Sequence, residues 1–296
     1  PEVSMEQMIY RERIPGIAID RILREPGFTM PSKHLHDDYE IYYLVEGERY
    51  YFIDRTTYHV TGGSLVFIDR NRIHQTSQCG TGSHERILIS LSQHPFGDFL
   101  SLTGEMSLSG FFSAHTGILE LDQEGRPLAE SLMDTLASEL HGQKPGFQHM
   151  AMSALSRLLI HAQRHFSSPS HISSRLPVST QPKHRLVDDA ASYITENYSK
   201  NLSLETVAAQ FYVNKCYLSR IFKEATGFTV NEYINMARVR RARELLSATS
   251  MSITEVSCLL GYDSITYFER VFHRYTQTSP MKYRKAYSAQ HVDHAF

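Results

Sequence analysis

The strongest constraint in this 296-residue chain is a short segment that occurs twice between residues 202 and 285. Residues 218–223 read Leu-Ser-Arg-Ile-Phe-Lys and residues 268–273 read Phe-Glu-Arg-Val-Phe-His, so Arg220 corresponds to Arg270. A segment with helical apolar periodicity precedes each copy. Two pairs of short helices, each ending in a helix with one basic face, are what a protein needs to read two turns of DNA.

Charge is unevenly distributed along the chain. Residues 184–288 carry 14 Lys and Arg against 10 Asp and Glu, a balance of +4, whereas residues 1–183 have a balance of −5. The whole chain has a formal net charge of −2 at pH 7. Only the C-terminal third therefore has the sign that binding to phosphate requires, and we expect the rest of the chain to serve another purpose.

Apolar patterning divides the chain further. Residues 15–92 hold short runs of Tyr, Ile, Val and Phe cut by Gly, Asp and Asn, which predicts a barrel or sandwich of short strands. Helical periodicity follows, and then residues 167–182, with six Ser and three Pro, predict a flexible linker. We expect an α+β multidomain chain with a β-barrel at 1–110, a helical segment for packing or dimerisation at 111–166, a linker at 167–183, an all-α DNA-binding domain at 184–288 and a tail at 289–296.

Two apolar stripes lie between the strand-rich part and the linker. They fall on predicted helices at 127–142 and 147–166, which residues 142–146 (Gly-Gln-Lys-Pro-Gly) separate. The stripes consist of Leu128, Leu132, Met133, Leu136 and Leu140, and of Met152, Leu155, Leu158, Leu159 and Ala162. The helices either cover one side of the barrel or present part of a stripe to a second copy of the chain, and the two alternatives are compatible.

Almost everything after the linker is predicted to be helical. The helices are expected at 184–198, 203–210, 214–225, 230–247, 252–260, 264–275 and 280–287. Residues that favour helix N-termini precede three of them, namely Ser203, Asn214 and Ser264. Gly227 is placed to end one helix, and Gly261 falls in the turn of the second pair.

Each predicted reading helix has an apolar face and a polar face. The inward residues are expected to be Tyr217, Leu218, Ile221, Phe222 and Ala225 in the first, and Phe268, Val271, Phe272 and Tyr275 in the second. The outward residues are expected to be Lys215, Cys216, Ser219, Arg220 and Lys223 in the first, and Ile265, Thr266, Glu269, Arg270, His273 and Arg274 in the second. A helix fits the major groove of DNA. There Arg or Lys can contact guanine, and Ser can contact any of several bases.

A long helix at 230–247, bearing Arg238, Arg240, Arg241 and Arg243, joins the two units. A stiff connector fixes the distance between the reading helices. Reading successive major grooves from one side of the duplex requires a separation of about one helical turn, roughly 34 Å.

The C-terminal third resembles the DNA-binding domain of AraC/XylS-type transcription regulators. The resemblance rests on residues 218–227, 238–246, 253–257, 261–264, 267–272 and 279–284. It implies base contacts from Lys215, Cys216, Ser219 and Arg220 in the first unit and from Ile265, Thr266, Glu269 and Arg270 in the second, with Lys223 beside them. Two residues depart from the pattern. Tyr212 stands where the second unit has Gly261, which predicts strain in that turn, and Gln277 replaces a usual Gly, which predicts a different entry into the last helix.

The N-terminal part resembles a cupin. His34, His36, Glu40 and a later His74 follow a pattern in which these side chains converge inside a small β-barrel. Even spacing places His34, His36 and Glu40 on one face of a strand. Three uses remain open: a site for Zn, Fe, Mn or Ni formed by these four residues, a polar pocket for an organic effector that also includes Tyr42 and Tyr51, or a structural motif that closes the barrel.

Together these patterns predict a cytoplasmic, dimeric, sequence-specific DNA-binding regulator with a cupin-like sensor barrel. We expect double-stranded DNA, a second copy of the chain, a sugar or an organic acid and, for an activator, RNA polymerase as partners, with no cofactor and no membrane. The three cysteines form no pair or metal-binding spacing, no apolar run reaches the roughly 20 residues of a membrane span, and the N-terminus shows no apolar signal core. The alternatives are a metal-dependent cupin enzyme with a DNA-targeting domain, which has no nucleophile motif to support it, and a constitutive regulator with an inert barrel.

Overall fold

The structure is a computed structural model, and it describes residues 6–26, 38–102, 104–167 and 181–292, the last six of these for their backbone only. The described residues up to 167 form one compact unit and those from 181 onward form a second. Residues 168–180 of the predicted linker and 293–296 of the predicted tail, together with His34 and His36, lie outside the described residues. Within the described ranges, no helix is both long enough and apolar enough to cross a membrane.

The described residues of the N-terminal unit form strands, which helices then follow. The strands are β1 (Glu6–Ile14), β2 (Ile17–Arg24), β3 (Tyr39–Glu46), β4 (Glu48–Ile53), β5 (Thr56–Thr61), β6 (Ser64–Ile68), β7 (His74–Gln78), β8 (His84–Leu91) and β9 (Gly117–Glu120). They form a six-stranded sheet in the order β1-β2-β8-β3-β6-β9 and a three-stranded sheet in the order β5-β4-β7. All of these pairs are antiparallel.

Alternation along the strands gives the larger sheet two buried faces. One face carries Tyr42, Leu44 and Val66, which pack with Tyr51 and Val60 of the smaller sheet into the interior between the sheets. The opposite face carries residues that alternate with these along the strands. Ile41, Tyr43, Phe67 and Ile89 lie on it and belong to a second, larger core. The predicted strand-rich, barrel-like domain is confirmed.

Helices cover the outer face of the larger sheet. Short helical segments at Gln93–Gly97, α1 (Asp98–Ser101) and α2 (Leu108–His115) lead to the long helices α3 (Gly125–Gly142) and α4 (Phe147–Phe166). Most of both predicted stripes is buried in the core shared with this sheet, while Leu128 remains 38% exposed. The helices therefore cover the barrel, which was one of the two alternatives.

The C-terminal unit is entirely helical in its described residues. Its helices are α5 (Pro182–Asn197), α6 (Leu204–Gln210), α7 (Lys215–Thr226), α8 (Val230–Ala248), α9 (Ile253–Leu259), α10 (Ile265–Thr276) and α11 (Pro280–Val292). All seven predicted helices are present, and most ends fall within two residues of their predicted positions. The last helix continues to residue 292, beyond its predicted end at 287.

Candidate nucleic-acid interface and ligand site

The two reading units begin in the same way. Ser203 caps α6 by accepting a hydrogen bond from the backbone N–H of Thr206, whose side chain accepts one from the backbone N–H of Ser203 in return. Ser252 and Glu255 form the same reciprocal pair at the start of α9. Each reciprocal pair, known as a capping box, satisfies backbone N–H groups that a helix N-terminus leaves unpaired. It thereby fixes where the first helix of each unit starts.

The turns between the paired helices have matching backbone conformations. Tyr212 and Gly261 both adopt left-handed φ angles, of 55° and 76° respectively. The residue after each turn donates its backbone N–H across it at 3.1 Å, from Val213 to Ala208 O and from Tyr262 to Ser257 O. Tyr212 therefore has the left-handed backbone that the predicted strain in this turn presupposes, while its side chain is 98% exposed.

The predicted difference at Gln277 is wrong. Gln277 ends α10 in the left-handed conformation, with φ of 58°, and its backbone N–H donates to His273 O at 2.8 Å. Gly227 ends α7 with φ of 75° and the equivalent bond to Lys223 O at 2.9 Å. Gln277 therefore accepts the conformation that usually favours glycine, and the last helix is entered in the same way as α8.

The polar face of each reading helix is open to solvent. Among the predicted base-contacting residues, eight are exposed and Ser219 is half-buried; the exposed ones are Lys215, Cys216, Arg220, Lys223, Ile265, Thr266, Glu269 and Arg270. The opposite faces are buried through Leu218, Ile221 and Phe222 in α7 and through Phe268, Val271 and Phe272 in α10. The repeated sequence thus produces two helices with the same division between core and surface.

Tyrosine rings support both arginines of the repeat. The Arg220 guanidinium lies 5.8 Å from the centre of the Tyr217 ring, and that of Arg270 lies 5.2 Å from the Tyr267 ring. Both rings are 40% exposed, so the prediction that Tyr217 points inward is wrong. A guanidinium over an aromatic face has less freedom to move, which prepares it for a directed contact. The Tyr-x-x-Arg spacing, present in both units, was the signal in the sequence.

Lys215 is already paired within its own unit. Its ammonium group contacts the Glu205 carboxylate at 3.0 Å, and both side chains are exposed. This contact connects the two helices across the first turn. A base or phosphate contact by Lys215 would have to compete with Glu205, so Arg220 is the stronger candidate in this unit.

Two arginines of the connecting helix have structural roles. The Arg238 side chain is buried and donates to Tyr198 O at 2.8 Å and to Lys200 O at 3.0 Å, while its guanidinium lies 4.9 Å from the Tyr262 ring. Arg243 is also buried and donates to the Tyr283 hydroxyl at 3.1 Å. Arg238 therefore connects α8 to the segment before the first reading unit and to the turn of the second.

Replacing Arg238 with alanine is expected to lower the free energy of unfolding of the C-terminal unit by about 2–3 kcal/mol, because two carbonyl groups lose a charged donor. Urea denaturation followed by the helical circular dichroism signal measures the loss. Arg241 is the matched control, since it lies on the same helix, is exposed and forms a solvent-accessible ion pair with Glu244. Arg241→Ala should change the stability by less than about 1 kcal/mol. Equal effects of the two substitutions would contradict the structural role of Arg238.

In the N-terminal unit, two members of the predicted pocket lie in contact. The His74 Nε2 atom is 3.1 Å from the Glu40 carboxylate, its Nδ1 atom lies 2.9 Å from Arg72 O, and the Tyr51 ring stacks against the imidazole at 6.3 Å. Burial acts to lower the pKa of His74, but the Glu40 carboxylate outweighs it and the pKa is raised. Tyr42 and Tyr51 are buried in the same interior. The structure thus brings four of the six predicted residues into one interior.

A group of basic side chains that the sequence had not brought together lies near Tyr42. It consists of Arg24 on β2, Arg49 on β4, and His84 and Arg86 on β8. Arg24 and His84 are register partners on β2 and β8, and Arg86 follows His84 on the same face. Arg86 pairs with Asp20, Arg24 lies 3.3 Å from Glu6, and Arg49 donates to the Gln78 amide oxygen at 2.9 Å.

This basic group holds polar atoms without partners. The Tyr42 hydroxyl and both ring nitrogens of His84 make no hydrogen bond to any described residue. His84 is only 2% exposed, and burial together with Arg49, Arg24 and Arg86 lowers its pKa to about 3. Unpaired polar atoms in an interior lined by the buried Arg49 and Arg86 carry a cost that a hydrogen-bonding ligand would remove. We therefore regard this end of the interior as the candidate ligand site.

Comparison with known proteins covers both units. Residues 17–176 match the family model of the AraC-like ligand binding domain, and residues 207–286 match that of a helix-turn-helix domain. The first match alone spans more than half of the chain. It includes all the strands of the candidate ligand site, while the second includes both reading helices.

Relatives extend over most of the chain. The uncharacterized HTH-type transcriptional regulator YfiF of Bacillus subtilis (strain 168) is 27% identical over 263 residues, which cover 86% of this chain and 79% of YfiF. The HTH-type transcriptional activator RhaR of Salmonella dublin is 23% identical over 254 residues, 86% of each chain. Among solved structures, the DNA-binding domain of AdpA in complex with a target DNA matches 35% of this chain and 94% of its own length. The two sequences are 28% identical in the matched part, and the TM-score is 0.34. The two family models together show that the chain belongs to the AraC family of DNA-binding helix-turn-helix regulators.

Proposed function

We propose that the chain recognises its operator through two helices that enter successive major grooves about one helical turn apart. Arg220 and Arg270 would contact guanine, and Cys216, Ser219, Ile265, Thr266 and Glu269 would select the neighbouring bases. The observation that carries this proposal is that both units present the same exposed arginine on a tyrosine ring. Loss of specific affinity in arginine variants is its test.

We further propose that a small organic anion controls this activity from the basic group of the N-terminal interior. A carboxylate could accept hydrogen bonds from the Tyr42 hydroxyl, from one ring nitrogen of His84 and from the neighbouring guanidinium groups. A neutral sugar could bond to the same atoms but carries no charge for the guanidinium groups to attract. Of the two effector classes that the sequence left open, the organic acid therefore fits these residues better.

Burial of the site suggests how an effector could act. Tyr42, Arg49, His84 and Arg86 are almost completely buried, so a ligand reaches them only when the interior opens. Binding would then select a different arrangement of the strands. An effector that binds one arrangement more tightly than the other shifts the population of the regulator by the difference between the two affinities.

A homodimer formed through the helices remains our prediction. Because the apolar stripes of α3 and α4 are largely buried against the sheet, a second copy would have to use what is left exposed. The groove between these helices offers such a surface, since Leu128 and Ile160 line it beside Arg157 and Arg164. A dimer would place two DNA-binding units on one operator, with the effector altering the half-sites that they can span.

An organic acid that acts as the effector is expected to raise the melting temperature of the full chain by about 5–10 °C at a concentration of 100 times its Kd. A thermal-shift screen of organic acids, their amides and neutral sugars measures this directly. The amides should have no effect, because they lack the charge that the arginines recognise. A shift with sugars and none with acids would contradict the proposed class of effector.

Two tyrosine variants locate the binding. Tyr42→Phe removes a buried hydroxyl inside the proposed site, whereas Tyr10→Phe removes one that also lacks a described partner but packs against the helix-covered core. Tyr42→Phe should reduce the acid-induced shift, and Tyr10→Phe should preserve it. Equal responses of the two variants would place the ligand elsewhere.

A further inference from the structure

A second group of chemically reactive side chains lies on the outer face of the three-stranded sheet. It consists of Glu48 at the start of β4, His59 on β5 and Cys79 directly after β7. Tyr50 pairs with His59, and Arg49 pairs with Gln78. Since side chains alternate along a strand, Glu48, His59 and Cys79 all lie on the face opposite Arg49 and the interior. This group is therefore separate from Glu40 and His74.

The three side chains are close enough to share one ion. The His59 Nε2 atom is 2.7 Å from a Glu48 carboxylate oxygen, and one donor atom from each residue, including the Cys79 sulfur, lies within 4.8 Å of the other two. Cys79 is only 8% exposed, while His59 and Glu48 remain open to solvent. A buried sulfur below two accessible ligands leaves one side of the group open for a further ligand.

The residue after Cys79 leaves room for this arrangement. Gly80 adopts a φ of 67°, and a Cβ atom at this position would lie 2.9 Å from the Glu48 carboxylate oxygen. Any side chain here would press on the carboxylate that approaches the sulfur. Glycine therefore permits both the turn after β7 and the position of Glu48.

We propose that Glu48, His59 and Cys79 bind one divalent transition metal ion of the zinc type, with water as the fourth ligand. Sulfur, nitrogen and carboxylate oxygen together suit Zn²⁺, whereas Mg²⁺ and Ca²⁺ prefer oxygen alone. Bond lengths of about 2.0–2.3 Å place the donor atoms of a tetrahedral site roughly 3.3–3.8 Å apart, so side-chain rotation suffices to form it. Nothing in this proposal depends on the identity of the effector.

The protonation of Cys79 gives the site a chemical signature. Cysteine binds a metal ion as the thiolate, so the Cys79 thiol has to lose its proton when the ion binds. Binding replaces the S–H proton by the metal and releases the proton to solvent, so affinity should rise with pH.

Titration of the chelator-treated full chain with Co²⁺ tests the site. We expect one equivalent to bind with a thiolate-to-cobalt charge-transfer band and with the visible bands of a tetrahedral complex, both of which Zn²⁺ should remove by displacement. Cys79→Ser should abolish the charge-transfer band, and Glu48→Gln should weaken binding by more than about 10-fold. Cys216→Ser and Cys258→Ser are the matched controls, because both of these cysteines are exposed and far along the chain.

Several outcomes would overturn the proposal. One is the absence of a charge-transfer band in the native chain, whether or not cobalt binds. The others are retention of the band in Cys79→Ser and its loss in either control variant. Glu48→Gln protects the test against misfolding, since Glu48 is exposed and its amide is nearly isosteric. Unchanged cobalt affinity in Glu48→Gln would show instead that the three side chains form only a hydrogen-bonded group.

Discussion

Arg220→Ala and Arg270→Ala should each weaken binding to the operator by roughly 1–3 kcal/mol, a loss of about 5- to 150-fold. The expected loss is large because a guanidinium can donate two hydrogen bonds to guanine, and because each of these arginines already lies on a tyrosine ring. Fluorescence anisotropy with a selected operator, at one fixed salt concentration, measures the change. Affinity for unrelated DNA should fall much less, since each substitution removes only one positive charge.

Conservative variants separate geometry from charge. Arg220→Lys keeps the charge but cannot form the same planar pair of hydrogen bonds, so it should retain binding to unrelated DNA and lose specificity. Tyr217→Ala leaves Arg220 in place and removes its support, and it should cost less than the loss of the arginine itself. Native affinity for the operator in both alanine variants, or an equal loss on every DNA sequence, would contradict the roles of Arg220 and Arg270.

Gly261→Ala should lower the free energy of unfolding of the C-terminal unit by about 2–4 kcal/mol. The backbone at Gly261 has a φ of 76°, and an added Cβ would lie 2.2 Å from the carbonyl oxygen of Ser199. The added methyl group meets backbone, which cannot rotate away, so the turn or the segment before α6 has to move. Urea denaturation measures the loss, and operator binding at a temperature near the transition should fall with it.

The corresponding turn of the first unit provides a control. Tyr212 has a similar φ but a fully exposed side chain. Tyr212→Gly therefore relieves backbone strain in the folded state, but it also adds conformational freedom to the unfolded chain. Because the two effects oppose each other, the free energy of unfolding should stay within about 1 kcal/mol of the native value. Native stability in Gly261→Ala would show that the contact with Ser199 is not a constraint.

The sequence predicts the C-terminal unit well because its signals are local. Ser203, Asn214 and Ser264 each accept a hydrogen bond from a backbone N–H in the first turn of the helix that they precede. Such signals act over three or four residues, so they can be read without knowledge of the tertiary structure. The wrong expectation for Tyr217 has a related cause, since helical spacing alone does not show how wide the buried face of a helix is.

Long-range pairing limits what the sequence predicts about the N-terminal unit. Arg24 and His84 lie 60 residues apart and become neighbours only because β2 pairs with β8. Neither residue carries a recognisable motif, so the basic group around Tyr42 is visible only in the structure. The pattern that resembles a cupin did locate Glu40 and His74, which lie in contact, while His34 and His36 fall outside the described residues. The sequence of the apolar stripes of α3 and α4 likewise does not decide whether they pack against the sheet or against a second copy of the chain. The structure shows that most of their residues pack in the core shared with the sheet.

Methylation interference at guanine N7 on a selected operator tests the central claim most directly. Each C-terminal unit contains both reading helices. For each such unit on the operator, the account predicts two groups of sensitive guanines in successive major grooves, separated by about 10 base pairs. Arg220→Ala should remove sensitivity from one group and Arg270→Ala from the other. A single group of sensitive guanines, or loss of the same group in both variants, would contradict recognition by two tandem helices.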